Sequence, residues 1–298
     1  MSIFEGIILA ELFRPERYFK PKSLEETQLL LKQFGGKARL LAGGTSLLVQ
    51  KPSGVKCIID MKRLPLDYIR GNPNGITIGA TTTFSHILES PLMHTSPYNV
   101  LTDSARQLGH RNIRNLATIG GNICNAEPSA DAPPALIALD AEAVIYIGED
   151  SRRVPLEAFY TGVRSTILEQ GEFLREIRLP RQSGLVGASF KKLSRTCVDV
   201  ALFNVASKVT INEKDVCTEA RIVIGAIVPK PIRSREAENS LLGKEITDES
   251  VSEAAQYACE EVTSVSENMV SRECSQEKVK ELTEKAILEA HKRAREAY

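Results

Sequence analysis

Net charge is missing from this chain: thirty-eight Lys and Arg offset thirty-eight Asp and Glu. That balance leaves no global field to draw in nucleic acid or an anionic membrane. Also missing is any run of eighteen apolar residues of the kind a membrane span needs. The opening Met1-Ser2-Ile3-Phe4-Glu5-Gly6 has neither a basic stretch nor a signal-type cleavage site. Together these absences predict a cytoplasmic chain with no nucleic-acid partner and no membrane span. The six cysteines, at 57, 124, 197, 217, 259 and 274, include no C-x-x-C pair, which argues against a zinc or iron–sulfur site and for free thiols in a reducing compartment. No metal ligand is nominated. His86, His94, His110 and His291 do not cluster, and no Ser or Cys sits in a G-x-S-x-G context. Hydrolytic chemistry finds no support, and no paired-carboxylate signature nominates a catalytic side chain. Any reaction would run on a bound cofactor.

What is present fits two domains: 298 residues, 42% apolar and 26% charged, enough for a sizeable core. Two glycine turns stand out. Leu41-Ala42-Gly43-Gly44-Thr45-Ser46-Leu47 closes a short apolar strand, and Ala117-Thr118-Ile119-Gly120-Gly121-Asn122-Ile123 repeats the pattern further along. Each puts unobstructed backbone beside hydroxyl or amide side chains, and such amides can face phosphate oxygens. Neither is a G-x-G-x-x-G or a P-loop fingerprint, so a nucleotide here needs another architecture. If both turns face one ligand, the Gly43, Gly44, Gly120 and Gly121 amides bracket a diphosphate, with Thr45, Ser46, Thr118 and Asn122 as neutral donors. The plain alternative is two ordinary tight turns.

The spacing predicts a βαββ opening. Ser23-Leu24-Glu25-Glu26 is an S-x-x-E capping box starting a helix with Leu30, Leu31 and Phe34 on its apolar side, ending at Gly35-Gly36. Strands follow at 38–41, 57–60 and 76–79, then a helix over 102–108 and a strand over 143–147. The stretch 177–189, interrupted by Pro180, Gly184 and Gly187, reads as looser and as a domain boundary. Beyond it, strands over 200–211 and 220–227 and helices from Ser250 and Ser275 predict a small antiparallel sheet with helices on one side. Asp131, in Pro128-Ser129-Ala130-Asp131-Ala132-Pro133-Pro134, has two readings. It either accepts hydrogen bonds from ribose or ribityl hydroxyls or caps the helix that begins after it.

These residues resemble, over nearly the whole chain, the FAD-binding medium subunit of the xanthine dehydrogenase and carbon monoxide dehydrogenase family of molybdenum hydroxylases. The resemblance rests on Ala42-Gly43-Gly44-Thr45, on Ile113 to Ile123, on Pro128-Ser129-x-Asp131-x-x-Pro134, on Phe190 to Arg195 with Asp199, and on Gly225 to Arg233. It implies an α+β fold: a vanillyl-alcohol-oxidase-like (PCMH-type) two-lobed FAD-binding domain over 1–178, with a small lobe to about 57, and a sheet-plus-helices C-terminal domain over 186–290. It implies FAD as cofactor. By motif match, Ala42 to Leu47 and Thr118 to Asn122 (Thr118, Gly120, Gly121 and Asn122 among them) carry the diphosphate, with Leu41 and Ala117 beside them in the cofactor-binding set; Asp131 reaches the sugar or ribityl part, and Leu179 and Lys192 lie near the flavin or adenine. Leu108 and Cys124 join the cofactor-binding set on the same ground. Two departures stand out: Ser46 replaces the Asp of many relatives, and no cysteine-rich loop for an extra four-iron cluster is present.

The resemblance further implies an electron-transfer subunit without a substrate site of its own. Its partners are a molybdopterin-binding large subunit and a small subunit with two-iron clusters, and its electrons go to NAD or another acceptor. Two alternatives stay open at this point: a free-standing flavin oxidoreductase, for which no base is nominated, and a flavin-less scaffold, against which the intact glycines speak.

Overall fold

The computed structural model describes residues 13–265 and 275–296; the expected start of the small lobe, Cys274 and the last two residues of the expected closing helix lie outside them. Three short parallel strands open the chain, β1 (Arg17–Phe19), β2 (Ala38–Leu41) and β3 (Cys57–Asp60), in the order β1-β3-β2. They can run parallel because α1 (Leu24–Phe34) carries the chain from β1 to β2, and α2 (Leu47–Gln50) with its flanking loops carries it from β2 to β3. Ser23 Oγ accepts from the Glu26 amide at 3.1 Å, a cap worth about 1 kcal/mol. The expected box closes one residue early, because the Glu26 carboxylate accepts from Lys22 N at 2.8 Å. Leu30, Leu31 and Phe34 pack on Ala38, Cys57 and Ile59, as the helical spacing requires.

The second lobe is a five-stranded antiparallel sheet, β4 (Ile69–Asn72), β5 (Gly75–Gly79), β6 (Glu142–Tyr146), β7 (Ser151–Pro155) and β10 (Phe173–Pro180), ordered β4-β5-β10-β6-β7; a hairpin, β8 (Tyr160–Gly162) and β9 (Ser165–Thr166), sits beside it. Between β5 and β6 run five short helices: α3 (Phe84–Glu89), α4 (Asn99–Arg106), α5 (Arg111–Arg114), α6 (Ile119–Cys124) and α7 (Ala132–Ala138). Strand alternation assigns the faces. Ile145 and Leu174 join Phe84, Ile119 and Leu136 in the main core, while their neighbours Tyr146 and Phe173 pack with Leu64, Leu66 and the small lobe's Leu24 and Leu31.

The third unit is a four-stranded antiparallel sheet, β11 (Leu185–Leu193), β12 (Phe203–Ile211), β13 (Cys217–Gly225) and β14 (Ile232–Arg233), with α8 (Arg235–Leu241), α9 (Asp248–Val265) and α10 (Gln276–Glu296). Val205, Val209, Ile222 and Ile224 face the helices; Ala206, Val223 and Phe190 face the main core. The stretch 177–189, expected to be loose, is instead mostly strand. Pro180 ends β10 opposite Gly75, and Gly187 lies inside β11, where a Cβ would stand 2.0 Å from Ala290 O of α10. The glycine there serves close helix approach, not a turn. No helix among the described residues is long and apolar enough to cross a membrane.

The two sheets are tied through Asp140, a left-handed residue (φ +56°) just after α7. Its carboxylate receives Lys208 Nζ of β12 at 2.6 Å and Arg221 Nε of β13 at 2.9 Å. The Lys208 side chain is 1% exposed, with Glu219 3.5 Å away. Burial pushes the Asp140 carboxyl up, but Lys208 and Arg221 outweigh it and hold it below the ordinary value. A carboxyl more acidic folded than unfolded stabilises fully above its unfolded value, and the contribution is lost as pH falls through the folded one. Asp140→Asn keeps a residue that tolerates left-handed backbone. It should cost about 2 kcal/mol at pH 7 by urea denaturation, below the ~3–5 kcal/mol of fully buried pairs because Asp140 is partly exposed and Lys208 keeps Glu219. The variant should also lose part of the wild-type fall in stability below about pH 4.

Candidate functional site

The first glycine turn leaves the end of β2 and enters α2. Gly44 has φ +74°, a left-handed conformation open to glycine at little cost. Gly43 is pressed against the second glycine segment: a Cβ on it would lie 1.9 Å from Leu116 O. The chain is therefore forced to offer bare backbone here. The amides of residues 43–47 donate to no acceptor among the described residues, whereas the next ones, from Leu48 to Lys51, all bond back into the turn or α2. Five successive free donors on half-buried backbone suit an anion with several oxygens. Thr45 and Ser46 lie within that run, and Ser46 caps α2 in position only, without a side-chain bond.

The second segment behaves differently from expectation. Thr118 to Asn122 is not a phosphate-facing turn but the start of α6, with Thr118 as its cap. The Gly121 amide donates to Thr118 Oγ1 at 3.1 Å, the Gly120 amide to Ala80 O at 2.9 Å and the Ile119 amide to Thr82 O at 2.9 Å. The second pair of amides is thus spent inside the protein, and Gly120 acts by packing, since its Cβ would stand 2.5 Å from Ala80 O. What this segment leaves open is Asn122 Oδ1, a buried acceptor with no partner among the described residues. Ala117 and Thr118 are buried and Gly121 is exposed.

Asp131 caps nothing; its side chain accepts from Lys192 Nζ at 2.7 Å and from Asn204 Nδ2 at 3.2 Å. Burial pushes its carboxyl above the ordinary range, against the pull of Lys192 and Asn204. Both members of the pair are almost wholly enclosed, and Lys192 also donates to Gln107 O at 3.0 Å. Leu108, next to Gln107, is half-buried against the main core. The Cys124 thiol is pushed up to about 12 by burial, so it stays protonated and unreactive at neutral pH. Leu179 is 1% exposed between Ile76 and the main core, and offers a ligand no surface in this arrangement.

The structure therefore brings Ala42, Gly43, Leu116 and Thr118 to one cleft of about 550 Å³, counting its open mouth. Lys62, Leu64, Asp67, Thr81, Thr83 and Asn115 complete its wall, and sequence reasoning nominated none of them as a site residue. Asp67 is held by His86 Nδ1 at 2.7 Å and Asn115 by Ser85 Oγ at 2.6 Å. Neither pairing has a sequence signal, because the partners lie on different elements. Among the described residues no cluster of metal-ligating side chains exists.

Residues 12–182 match the family model described as the FAD binding domain in molybdopterin dehydrogenase, and residues 188–290 match that of the CO dehydrogenase flavoprotein C-terminal domain. The chain is 31% identical to the glyceraldehyde dehydrogenase medium chain of Sulfolobus acidocaldarius, over 93% of this chain and 99% of that one. It is 34% identical to the carbon monoxide dehydrogenase medium chain of Hydrogenophaga pseudoflava, over 81% and 85% respectively. A solved structure of the carbon monoxide dehydrogenase from Hydrogenophaga pseudoflava that lacks the Mo-pyranopterin moiety of its molybdenum cofactor superimposes with a TM-score of 0.87 at 30% identity, covering 94% of this chain and 98% of that one. The free amides of 43–47 and the open acceptor of Asn122 fit the diphosphate and hydroxyls of FAD, and the α+β, vanillyl-alcohol-oxidase-like architecture is the one the motifs implied. This chain belongs to the FAD-binding medium subunits of the molybdenum hydroxylases, the oxidoreductase family of the xanthine and carbon monoxide dehydrogenases.

Proposed function

We propose that this chain is the FAD-carrying electron-transfer subunit of a cytoplasmic molybdenum hydroxylase complex. It would work beside a molybdopterin-binding large subunit and a small subunit with two-iron clusters, and pass electrons from those clusters to NAD or another acceptor. Residues 1–178 serve as the flavin-binding domain and 186–290 as the C-terminal domain that backs it. The observation that carries the reading is the run of five amides at 43–47 that find no acceptor among the described residues, beside the close contact of Gly43 with Leu116. When bound, FAD supplies a carrier that accepts electrons singly and releases them as a pair. This chain binds and orients it. The amides of 43–47 grip the diphosphate through neutral donors, Asn122 Oδ1 takes a hydroxyl, and the Lys192–Asp131 pair holds the floor of the site from inside the protein. No side chain is required to exchange a proton with a substrate, which agrees with substrate chemistry residing in a partner.

Titration of the purified chain with FAD, followed by flavin fluorescence, should show stoichiometric binding, and iron and molybdenum should co-purify with the native complex. A chain that ignores added flavin sinks the reading; flavin without iron or molybdenum would favour a free-standing enzyme. Gly43→Ala must move Leu116 or the turn to relieve the 1.9 Å overlap. Its FAD affinity should fall at least about tenfold, a loss of ~1.4 kcal/mol.

Lys192→Met strands Asp131 without its cation, at a cost of about 3 kcal/mol. A carboxyl whose folded value is raised keeps a proton that the unfolded chain releases, so stability is lost as pH rises from about 4 upward through the folded value. The gap in melting temperature between wild type and this variant should therefore widen from pH 5 to pH 8.

A further inference from the structure

The loop joining α4 to α5 is held by charge in an asymmetric way. The carbonyl oxygens of four successive residues each meet a cation. Arg114 Nη1 donates to Gly109 O at 2.8 Å, to Leu108 O at 3.2 Å and, weakly, to Arg106 O at 3.5 Å. Lys192 Nζ donates to the remaining one, Gln107 O, at 3.0 Å. Among the described residues Arg114 has no carboxylate partner, so its charge is devoted to backbone. The loop turns at Gly109, with φ +48°.

This loop ties the Leu116 segment to the Lys192–Asp131 pair. Arg114 lies two residues before Leu116, whose carbonyl meets Gly43. At the other end of the loop, Lys192 carries its second hydrogen bond to Asp131, 2.7 Å away. Losing the guanidinium would free three carbonyls at once and let Gln107 O drift from Lys192. We propose that Arg114 is a positioning residue for the cofactor: through the carbonyls of 106–109 it fixes Leu108 and the Lys192–Asp131 pair relative to the Gly43–Leu116 contact. The inference rests on the placement of FAD proposed above.

The geometry also says what kind of side chain the position requires. All three bonds come from one nitrogen, so the bidentate fork of arginine is not used there and a point-like ammonium can replace it. An apolar side chain of similar length cannot. The test therefore compares wild type, Arg114→Lys and Arg114→Met as apo-protein, reading FAD dissociation constants by flavin fluorescence, the visible circular dichroism of bound flavin, and the melting temperature without flavin. Arg114→Met should bind FAD about tenfold or more weakly with an altered visible dichroism, and Arg114→Lys should restore affinity to within about threefold and the wild-type spectrum. Wild-type affinity and spectrum in Arg114→Met, or a lysine variant as impaired as the methionine one, would overturn the inference while leaving the flavin reading intact. A wild-type chain that binds no FAD would remove both. Should Arg114→Met fail to fold, Gly109→Ala probes the same loop, because a Cβ at φ +48° strains it; weaker FAD binding supports the inference, and unchanged binding with an unchanged spectrum overturns it.

Discussion

The architecture of the site depends on one close approach, Gly43 against the carbonyl of Leu116. It fuses a turn from the parallel three-stranded lobe with a segment from the antiparallel five-stranded lobe, two elements with separate hydrophobic clusters. Without a side chain between them, the backbone of the first turn has nowhere to send its amides except outward. The donors are thus a by-product of packing, and they are preorganised because the chain on both sides is already committed, β2 to the small sheet and α6 to the main core.

The second glycine pair shows how the same sequence pattern serves a different end. Gly120 and Gly121 carry the same residues as Gly43 and Gly44, yet their amides close onto Ala80 and Thr118 within the protein. The Ala80 amide donates to Arg175 O, continuing the β5–β10 ladder, and Ala80 O in turn receives Gly120. One glycine segment leaves its amides without acceptors among the described residues, and the other builds the wall it leans on.

Local signals in the sequence marked much of the fold correctly. The capping serine of α1, the short apolar strands of the small lobe and the long strands of the C-terminal sheet follow from periodicity and end chemistry, which are properties of neighbouring residues. The stretch 177–189 misled because Pro180 and Gly187 are punctuators only when nothing else claims them; here one ends an edge of pairing and the other admits a helix. In the candidate site, the bare backbone of the first glycine turn was legible, whereas the second glycine pair gave no sign that its amides bond within the protein. Lys62, Asp67, Thr83 and Asn115 were not, because a cleft wall gathered from separate elements has no spacing to read. Asp131 illustrates the limit most clearly: its position suggested either a cap or a sugar contact, and nothing local announced the ion pair with Lys192 arriving from β11.

Recognition by main-chain amides has a consequence for how freely the site can change. On the proposed reading Thr45, Ser46 and Leu47 would lend the ligand only their backbone, so the identity of their side chains would matter little to that grip, and what must be preserved is the absence of a side chain at Gly43. On that reading the loop could drift in sequence, even in charge, and still present the same row of amides.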